Sequence, residues 1–448
     1  MPRPPGPSTP PALQLLRWMR APFKLLEDAQ AQFGDAFTVR LPGLVNGVVV
    51  VADPLAVKEV FGLGPDAAHA GKANFVLKPL LGEHSLLLLD GAEHLRQRKM
   101  ILPAFHGEQM HAYGRTMIEL THDSVDRWPV GEPFPAHTPM QAVTLQVILR
   151  TVFGVEEGPR FEELGDVLRR VLEIGGRPIM LMPWMQRDFG PLSPWGRFLR
   201  IAARGGEILR AEIRRGRQQG TAGRSDVLAM MLDARDDKGE PLSEDEVHDE
   251  LVTLLVAGHE TTATALAWTL RWLLPDPQLL SRLRDEIASA GGDPQRISKL
   301  ELLDATVKES LRLQPVVPMV GRVLQEPMTI GGMELAAGTF VSPSIYLVHR
   351  RASLYPEPKR FNPDRFVGFK PAAWEWLPFG GGLRKCVGAA FAIYEMKMVL
   401  ATILPRIDMR LVSDRVRPRR RAVTITPDGG LPVVVTTKRS RQSVDRAA

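Results

Sequence analysis

The spacing of apolar residues predicts a chain built mostly of helices with a few short strands. From about residue 105 to residue 313, apolar positions recur every three or four residues, which is the period of an α-helix. Short apolar runs bounded by Gly, Pro or Asn predict a strand pair at 36–41 and 48–51, and further strands around 320–345 and 421–437. We therefore predict a mainly α (α+β) fold with a small β-rich region.

Two of the predicted helices can be bounded from the sequence. The first covers residues 246–274 and is apolar nearly all round, so a membrane span is the alternative to a core helix. Polar residues from His259 to Thr262 lie at its centre, where a charge inside a membrane is costly, and we expect a helix buried in a protein core. The second covers residues 301–313 and ends near Gln314 because Pro315 follows.

Length and composition indicate an ordinary globular protein. The chain has 448 residues, of which 44% are hydrophobic and 24% charged, and no linker or repeat divides it. We expect one domain, residues 1–448, with flexible ends at 1–12 and 438–448. The single cysteine suits a reducing compartment, and no apolar stretch is long enough for a signal peptide or anchor, which together predict a cytoplasmic location. The net charge of +6 is spread along the chain, so we expect no nucleic-acid binding.

The segment 379–388, FGGGLRKCVG, contains that cysteine and is the strongest chemical signal in the chain. A lone cysteine is most often a small buried apolar residue. Here, however, three glycines allow a flat partner to approach the backbone, and Arg384 can bind a carboxylate. Cys386 also lies just before an apolar helical stretch, where the helix N-terminus favours a thiolate. A thiolate in such a loop is what an axial haem ligand requires.

The pattern Phe-x-x-Gly-x-Arg-x-Cys-x-Gly resembles the haem-ligand loop of the cytochrome P450 family. The resemblance covers nearly the whole chain and implies the P450 fold, in which long helices surround a buried haem b. It also implies that Cys386 binds the haem iron and that Phe379, Arg384 and Gly388 contact the cofactor. A zinc site is a poor alternative, because the chain has one cysteine and no His-x-x-x-His pair.

The centre of the helix 246–274 has the sequence AGHETT, residues 257–262. On a 3.6-residue period Ala257, Gly258 and Thr261 share a face that leaves room for a small ligand and ends in a hydroxyl. Alternatively, Thr261 bonds only to the carbonyl one turn earlier. The segment resembles the oxygen-binding helix of the P450 family, which implies that Ala257 lies against haem, that Thr261 holds dioxygen and that Glu260 supplies protons.

Glu309 and Arg312 form a Glu-x-x-Arg pair on the second helix. The spacing alone carries little information, because Glu357 and Arg360 repeat it in what we expect to be a surface pair. The resemblance implies that Glu309, Arg312 and Arg365 form a buried ionic triad that supports the cysteine loop.

His94 and Arg98 lie four residues apart on one predicted helix face. Such a pair is commonly a solvated face. The resemblance instead implies that both residues hold haem propionates, and that Arg322 and His349 are further propionate contacts.

The resemblance implies a haem-thiolate monooxygenase that inserts one atom of O2 into a C–H bond or an alkene of an apolar substrate. We expect a fatty acid first and a terpenoid or polyketide second. The electrons would come from a separate ferredoxin or flavodoxin, which docks on a basic face containing Lys99, Arg384 and Lys385. The alternatives are a peroxide-driven peroxygenase and a non-catalytic haem protein. The apolar, methionine-rich segment 179–185 is either a lid over the substrate or an ordinary helix connection.

Overall fold

The computed structural model describes residues 3–44, 46–105, 109–155, 158–175, 186–190 and 193–441. The segment 179–185 therefore lies outside the described residues. In the described ranges the α-helices are α1 (Pro11–Arg20), α2 (Pro22–Phe33), α3 (Pro54–Gly62), α4 (Ala70–Ala73), α5 (Lys78–Leu81), α6 (Gly91–Ile101), α7 (Gln109–Asp126), α8 (His137–Thr151), α9 (Pro159–Gly175), α10 (Pro194–Gln219), α11 (Val227–Asp233), α12 (Glu244–Leu273), α13 (Pro277–Ala288), α14 (Pro294–Ile297), α15 (Glu301–Leu313), α16 (Ile345–Val348) and α17 (Ala389–Arg406).

The strands form small sheets at the edge of this helical body. They are β1 (Ala36–Val39), β2 (Val48–Val51), β3 (Ala68–His69), β4 (Pro133–Pro135), β5 (Arg322–Leu324), β6 (Met328–Ile330), β7 (Met333–Leu335), β8 (Phe340–Pro343), β9 (Ile407–Leu411), β10 (Pro418–Arg421), β11 (Thr424–Pro427) and β12 (Pro432–Lys438). The largest sheet has the order β1-β2-β8-β5-β3, and β4-β12-β9, β10-β11 and β6-β7 form the others. The mainly α (α+β) prediction is confirmed.

Individual elements agree with the hydrophobic pattern. The predicted strand pair is the antiparallel pair β1–β2, in which Ala36 faces Val51. The second bounded helix is α15, with the predicted ends. The first is α12, which begins two residues before the expected start because Ser243 and Glu246 form a capping box there.

Helix α12 runs through the main hydrophobic core together with α17. It packs against α8, α15, α17 and β11, so polar groups near its centre are held inside the protein. Among the described residues, no helix is long and apolar enough to cross a membrane. This finding agrees with the expectation that α12 is a core helix.

The N-terminal segment contacts β1 and α1. Thr38 donates its backbone N–H to the carbonyl of Pro5 at 2.9 Å and its hydroxyl to the carbonyl of Pro4 at 2.7 Å. The buried Gln14 side chain donates to the carbonyls of Pro7 and Thr9. The flexibility expected for segment 1–12 stays a prediction.

Candidate active site

The loop that carries Cys386 is fixed by its own backbone and by α3. The N–H of Cys386 donates to the carbonyl of Phe379 at 3.0 Å, and the Phe379 ring packs edge-on against Trp376. Gly382 has a φ of +64°, and a Cβ there would lie 1.9 Å from the carbonyl oxygen of Phe61. Only glycine fits this position, so the glycines of the loop bring it against α3 as well as toward a ligand.

Cys386 faces an internal space. Its side chain is exposed, although protein surrounds it closely enough for burial to raise the pKa of its thiol. The N–H of Gly388, which caps α17, donates to the sulfur, and Arg98 and Lys385 also favour the thiolate. Burial nevertheless outweighs these groups, so the helix terminus alone does not make the thiolate that the sequence suggested.

Three guanidinium groups, those of Arg98, Arg322 and Arg384, converge with the imidazole of His94 beside this space and form a cationic cluster. Burial and then repulsion from Arg384, Arg98 and Arg322 lower the pKa of His94 to about 3. Burial likewise lowers the pKa of Arg322 to about 10, with repulsion from Arg384 adding to it. Burial lowers the pKa of Arg98, and Cys386 opposes that shift, which indicates that the guanidinium lies near the sulfur. His94, Arg322 and Arg384 line a cleft with Val60 and Phe61. The positive charge of the cluster suits a ligand with more than one carboxylate.

Within the described residues, Asp90 is the carboxylate that faces this cluster. Arg384 donates to the Asp90 carboxylate and to the carbonyls of Leu89 and Leu86, the last at 3.1 Å. Its side chain is only 13% exposed. The expectation that Arg384 belongs to an outer docking face is therefore wrong, because its guanidinium points inward.

The other two residues of the expected docking face lie at the surface. Lys99 is exposed and pairs with the exposed Asp237, and Lys385 is exposed next to the cysteine loop.

The structure does not bring His349 to the cationic cluster. The side chain is fully buried, and its Nε2 accepts the backbone N–H of Leu377 at 2.8 Å. Its Nδ1 lies 3.1 Å from the carbonyl oxygen of Arg312. Because both ring nitrogens are engaged by the backbone, the expected propionate contact from His349 is not available, and the residue supports the segment before the cysteine loop.

The centre of α12 presents an accessible face, although the turn that follows it is buried. Ala257 is exposed there, and Thr261 donates its hydroxyl to the Ala257 carbonyl. Gly258 points elsewhere, since a Cβ on it would lie 3.2 Å from the Ile148 side chain of α8. The accessible face is thus formed by Ala257 and Thr261, and Gly258 serves the contact with α8.

Glu260 is held by α8 and by the β10–β11 hairpin. Gln141 donates from Nε2 to Glu260 Oε2 at 2.6 Å. Oε1 lies 3.7 Å from Nε2 of His137 and 3.6 Å from Nε of Arg421. Burial raises the pKa of Glu260, while Arg421 and the Gln141 hydrogen bond oppose that shift. A buried carboxyl with a raised pKa keeps its proton to a higher pH than a solvated carboxyl does, which suits a group that holds and passes on a proton.

The expected triad is assembled in the structure. Glu309 and Arg312 are fully buried, with Arg312 Nε 2.6 Å from Glu309 Oε2 and Arg312 Nη2 2.8 Å from Oε1. Arg365 donates from Nε to Glu309 Oε1 at 3.0 Å, and Arg312 also donates to the carbonyls of His349 and Pro358. The network joins α15 to the segment that leads into the cysteine loop.

These residues fit a haem. Cys386 offers one sulfur ligand toward an internal space, and Ala257 leaves a helix face open. Among the described residues, Asp90 is the one carboxylate that pairs with the guanidiniums of the cationic cluster. In the described ranges no group of three His, Cys, Asp or Glu residues could hold a metal ion by itself. The donor set therefore suits iron already carried by a porphyrin, with propionates at His94, Arg98 and Arg322.

Sequence reasoning missed the residues that surround the site from distant parts of the chain: Asp90, His137, Gln141 and Arg421. For two of them a signal existed. His137 and Gln141 are four apart on α8, and Thr144, which bonds to the His259 carbonyl, continues the same polar stripe. Asp90 and Arg421 had no local signal.

Comparisons with known proteins agree with this arrangement. Residues 4–431 match the family model described as Cytochrome P450. Cytochrome P450 135B1 of Mycobacterium tuberculosis (strain ATCC 25618 / H37Rv) is 38% identical over 99% of this chain and 93% of its own length. Cytochrome P450 135A1 of the same strain is 35% identical over 95% of this chain and 94% of its own length.

Solved structures give the same result. A retinoic acid-bound cyanobacterial CYP120A1 superimposes on this chain with a TM-score of 0.85 at 27% identity. The superposition covers 98% of this chain and 100% of that protein's chain. The heme domain of cytochrome P450DA, at 24% identity and a TM-score of 0.83, covers 98% of both chains and shows the same fold. The chain belongs to the cytochrome P450 family and is a haem-binding P450 monooxygenase.

Proposed function

We propose that this monooxygenase, formed as one haem domain, hydroxylates or epoxidises an apolar substrate, with a long-chain fatty acid as the first candidate and a terpenoid or polyketide as the second. One observation carries the reaction class: the exposed Cys386 sulfur faces an internal space beside a cationic cluster, in a chain whose α12 carries Thr261 and Glu260. When bound, the haem supplies the activation of O2 and the oxidation of the C–H bond or alkene.

The choice of substrate has support from a relative. The cyanobacterial P450 that resembles this chain is described with retinoic acid bound. Retinoic acid, like a fatty acid, joins a long apolar chain to one carboxylate, and its chain is also isoprenoid. Both proposed substrate classes therefore share chemistry with the ligand of that protein.

The residues of this chain take separate parts in the proposed reaction. Cys386 provides the thiolate ligand, with the Gly388 N–H donating to its sulfur. His94, Arg98 and Arg322 would hold the propionates, and Ala257 would leave room for the cofactor beside α12. The Thr261 hydroxyl would offer a hydrogen bond to dioxygen, and Glu260 would hold a proton at its carboxyl group and pass it toward that hydroxyl.

A separate ferredoxin or flavodoxin provides the two electrons. The one cysteine that this chain contains cannot bind an iron–sulfur cluster of the usual kind. Exposed Lys385 lies next to the cysteine loop, and we propose that it contributes, with Lys99, to the face that an acidic partner contacts.

A spectral titration tests the substrate class. Ferric protein is titrated with saturated fatty acids of increasing length, with a cyclic terpenoid and with a macrolide, and the spin-state change of the haem band is followed. We expect the ferric protein to bind one of the long fatty acids or the terpenoid most tightly. Selective binding of small polar molecules, with no response to any apolar compound, would overturn it.

Thr261→Ala tests the reaction mechanism, and Thr269→Ala is its matched control. Thr269 lies on the same helix, is buried, and also donates to the carbonyl four residues earlier, that of Ala265, at 2.8 Å. We expect Thr261→Ala to consume reductant at a similar rate, to form several-fold less product and to release more hydrogen peroxide. Thr269→Ala should stay coupled.

If both variants stay equally coupled, Thr261 is only a helix-bonded residue. Product formation from hydrogen peroxide alone, at the rate of the complete system and with no reductant, would instead indicate a peroxygenase. Absence of turnover with every redox partner and substrate, despite ligand binding, would indicate a non-catalytic haem protein.

A further inference from the structure

The Glu260 carboxylate contacts two elements whose roles the reaction does not explain. Its Oε2 accepts a hydrogen bond from Gln141, so that oxygen is fixed. Its Oε1 is buried, and no hydrogen-bond partner for it is found among the described residues. The two groups that face Oε1 are His137 on α8, at 3.7 Å, and Arg421 on β10, at 3.6 Å. Oε1 is thus the oxygen free to take up a proton.

Of these two groups, only Arg421 carries a charge at neutral pH. Burial, followed by repulsion from Arg421 and His259, lowers the pKa of His137 to about 3. Burial likewise lowers the pKa of His259, which precedes Glu260 on α12, to about 4. Gln141 is neutral. His137 therefore offers Oε1 a neutral imidazole, and the guanidinium of Arg421 is the one full positive charge against it.

The hairpin that carries Arg421 is firmly attached to α12. Trp268 donates from its indole nitrogen to the carbonyl of Ile425 on β11 at 2.8 Å, and the N–H of Ile425 donates to the carbonyl of Val316 at 2.9 Å. Arg421 pairs with Thr424 across the hairpin, and the Thr424 hydroxyl donates to the Arg421 carbonyl at 2.8 Å. The backbone position of Arg421 relative to α12 is therefore set by the fold.

Arg421 also connects the buried carboxyl with the outside of the helical core. Its side chain is 33% exposed, whereas that of Glu260 is 15% exposed and that of His137 is 5% exposed. A partly exposed guanidinium keeps its charge, and its field reaches a carboxyl that solvent reaches poorly.

We propose that Arg421 is a positioning residue for Glu260: it holds Oε1 from the β10–β11 hairpin and determines at which pH that oxygen takes up its proton. The proton comes from solvent, one O–H bond forms at Oε1 and the same bond breaks when the proton is passed on, and no electron moves. The value of this arrangement for turnover rests on the proposed role of Glu260 as a proton donor, but the charge interaction itself does not.

The test measures the titration of Glu260 directly. Difference infrared spectra of the ferric holoenzyme are recorded over pH, and the carboxylic-acid band that disappears in Glu260→Gln is assigned to Glu260. Because an opposite charge at this distance lowers the pKa of a carboxyl, we expect Arg421→Gln to raise the midpoint of that band by about one pH unit. Arg421→Lys should restore most of the shift, since it restores the charge.

Arg419→Gln is the matched control. Arg419 lies on the same strand, is 70% exposed and pairs with Asp428 at 3.1 Å, so the variant removes the same charge without touching the Glu260 site. Its midpoint should equal that of the parent. An unchanged midpoint in Arg421→Gln, or an equal shift in Arg419→Gln, would overturn the inference.

A second measurement separates this inference from the proposed function. The ratio of product to consumed reductant is followed over pH in parent and Arg421→Gln proteins. If the infrared midpoint and this ratio shift together, both the inference and the role of Glu260 as proton donor are supported. If the midpoint shifts and the ratio does not, the inference stands and the proton-donor role of Glu260 is refuted.

Discussion

Replacing Glu309 by Gln should destabilise the protein far more than the same change in a surface pair of identical spacing. The Glu309 carboxylate accepts four hydrogen bonds: two from Arg312 at 2.6 and 2.8 Å, one from Arg365 at 3.0 Å and one from the backbone N–H of Asn362 at 2.9 Å. In Glu309→Gln the amide group turns a donor toward at least one of these donors. The charge that balances the buried Arg312 guanidinium also disappears.

The size of the effect follows from burial. Both members of the Glu309–Arg312 pair are 0% exposed, and breaking a pair of this kind costs about 3–5 kcal/mol because the remaining charge stays buried. Arg312 keeps its bonds to the carbonyls of His349 and Pro358, which places the expected loss toward the lower end of that range. The control is Glu357→Gln, since Glu357 and Arg360 have the same spacing but are 69% and 67% exposed. Such an exposed pair contributes about 1 kcal/mol or less.

Two measurements test this prediction. The first is urea unfolding of the holoenzyme, followed by tryptophan fluorescence, and the second is the haem content per chain. We expect Glu309→Gln to lose about 3 kcal/mol of unfolding free energy and to bind less haem, because the network supports the segment before Cys386. Glu357→Gln should match the parent in both measurements. If the two variants unfold within about 1 kcal/mol of each other, the buried network does not stabilise this region and the reasoning fails.

Three further predictions follow from single contacts. Cys386→Ser should abolish the red-shifted Soret band of the reduced carbon monoxide complex, and a retained band would exclude Cys386 as the iron ligand. Gly382→Ala should lower the unfolding free energy by about 1–3 kcal/mol, because its Cβ would meet the Phe61 carbonyl. The control is Gly64→Ala, which has open space around its Cβ and should lower the unfolding free energy by less than about 1 kcal/mol. Equal losses in the two variants would refute the steric argument. Burial raises the pKa of Glu250 from 4.5 to about 8, so the folded protein holds a proton that the unfolded chain has lost, and stability should fall between pH 5 and 8. Glu250→Gln should remove on the order of 4 kcal/mol of that fall, and parallel pH curves of unfolding free energy for the two proteins would contradict it.

The parts of the site that the sequence predicted are those encoded locally. The cysteine loop and the centre of α12 each lie within about ten consecutive residues, and their glycines, cysteine and hydroxyl fix both the local geometry and the chemistry. The triad needed the family resemblance as well, because Glu309 and Arg365 are 56 residues apart and the spacing of Glu309 and Arg312 recurs on the surface. Periodicity was sufficient for α15 because Pro315 marks its end.

The missing parts depend on tertiary contacts. Arg384 and Asp90 are 294 residues apart, and Gln141 and Glu260 are 119 apart, so no local pattern relates either pair. His349, by contrast, was expected at the site and is not there. An imidazole suits a propionate, but both ring nitrogens of His349 contact backbone groups instead. The pKa of the Cys386 thiol in the absence of iron also depends on tertiary structure, because burial raises it while the Gly388 N–H at the helix N-terminus lowers it, and burial is the larger effect.

The short segment 85–90 lies between the deeply buried Glu250 of α12 and the cysteine loop, and it contacts both. On one side the N–H of Leu86 donates to Glu250 Oε1 at 2.6 Å, and the Thr253 hydroxyl donates to that of Ser85 at 2.7 Å, so the segment is attached to α12. On the other side the Leu86 carbonyl accepts from Arg384, two residues before Cys386. One residue, Leu86, thus links the helix that carries Thr261 to the loop that carries the sulfur ligand. Because both backbone groups of Leu86 are buried, losing either partner would leave a polar group unsatisfied. The hydrogen bonds of Leu86 to Glu250 and Arg384 therefore help to hold α12 and the cysteine loop in place relative to each other.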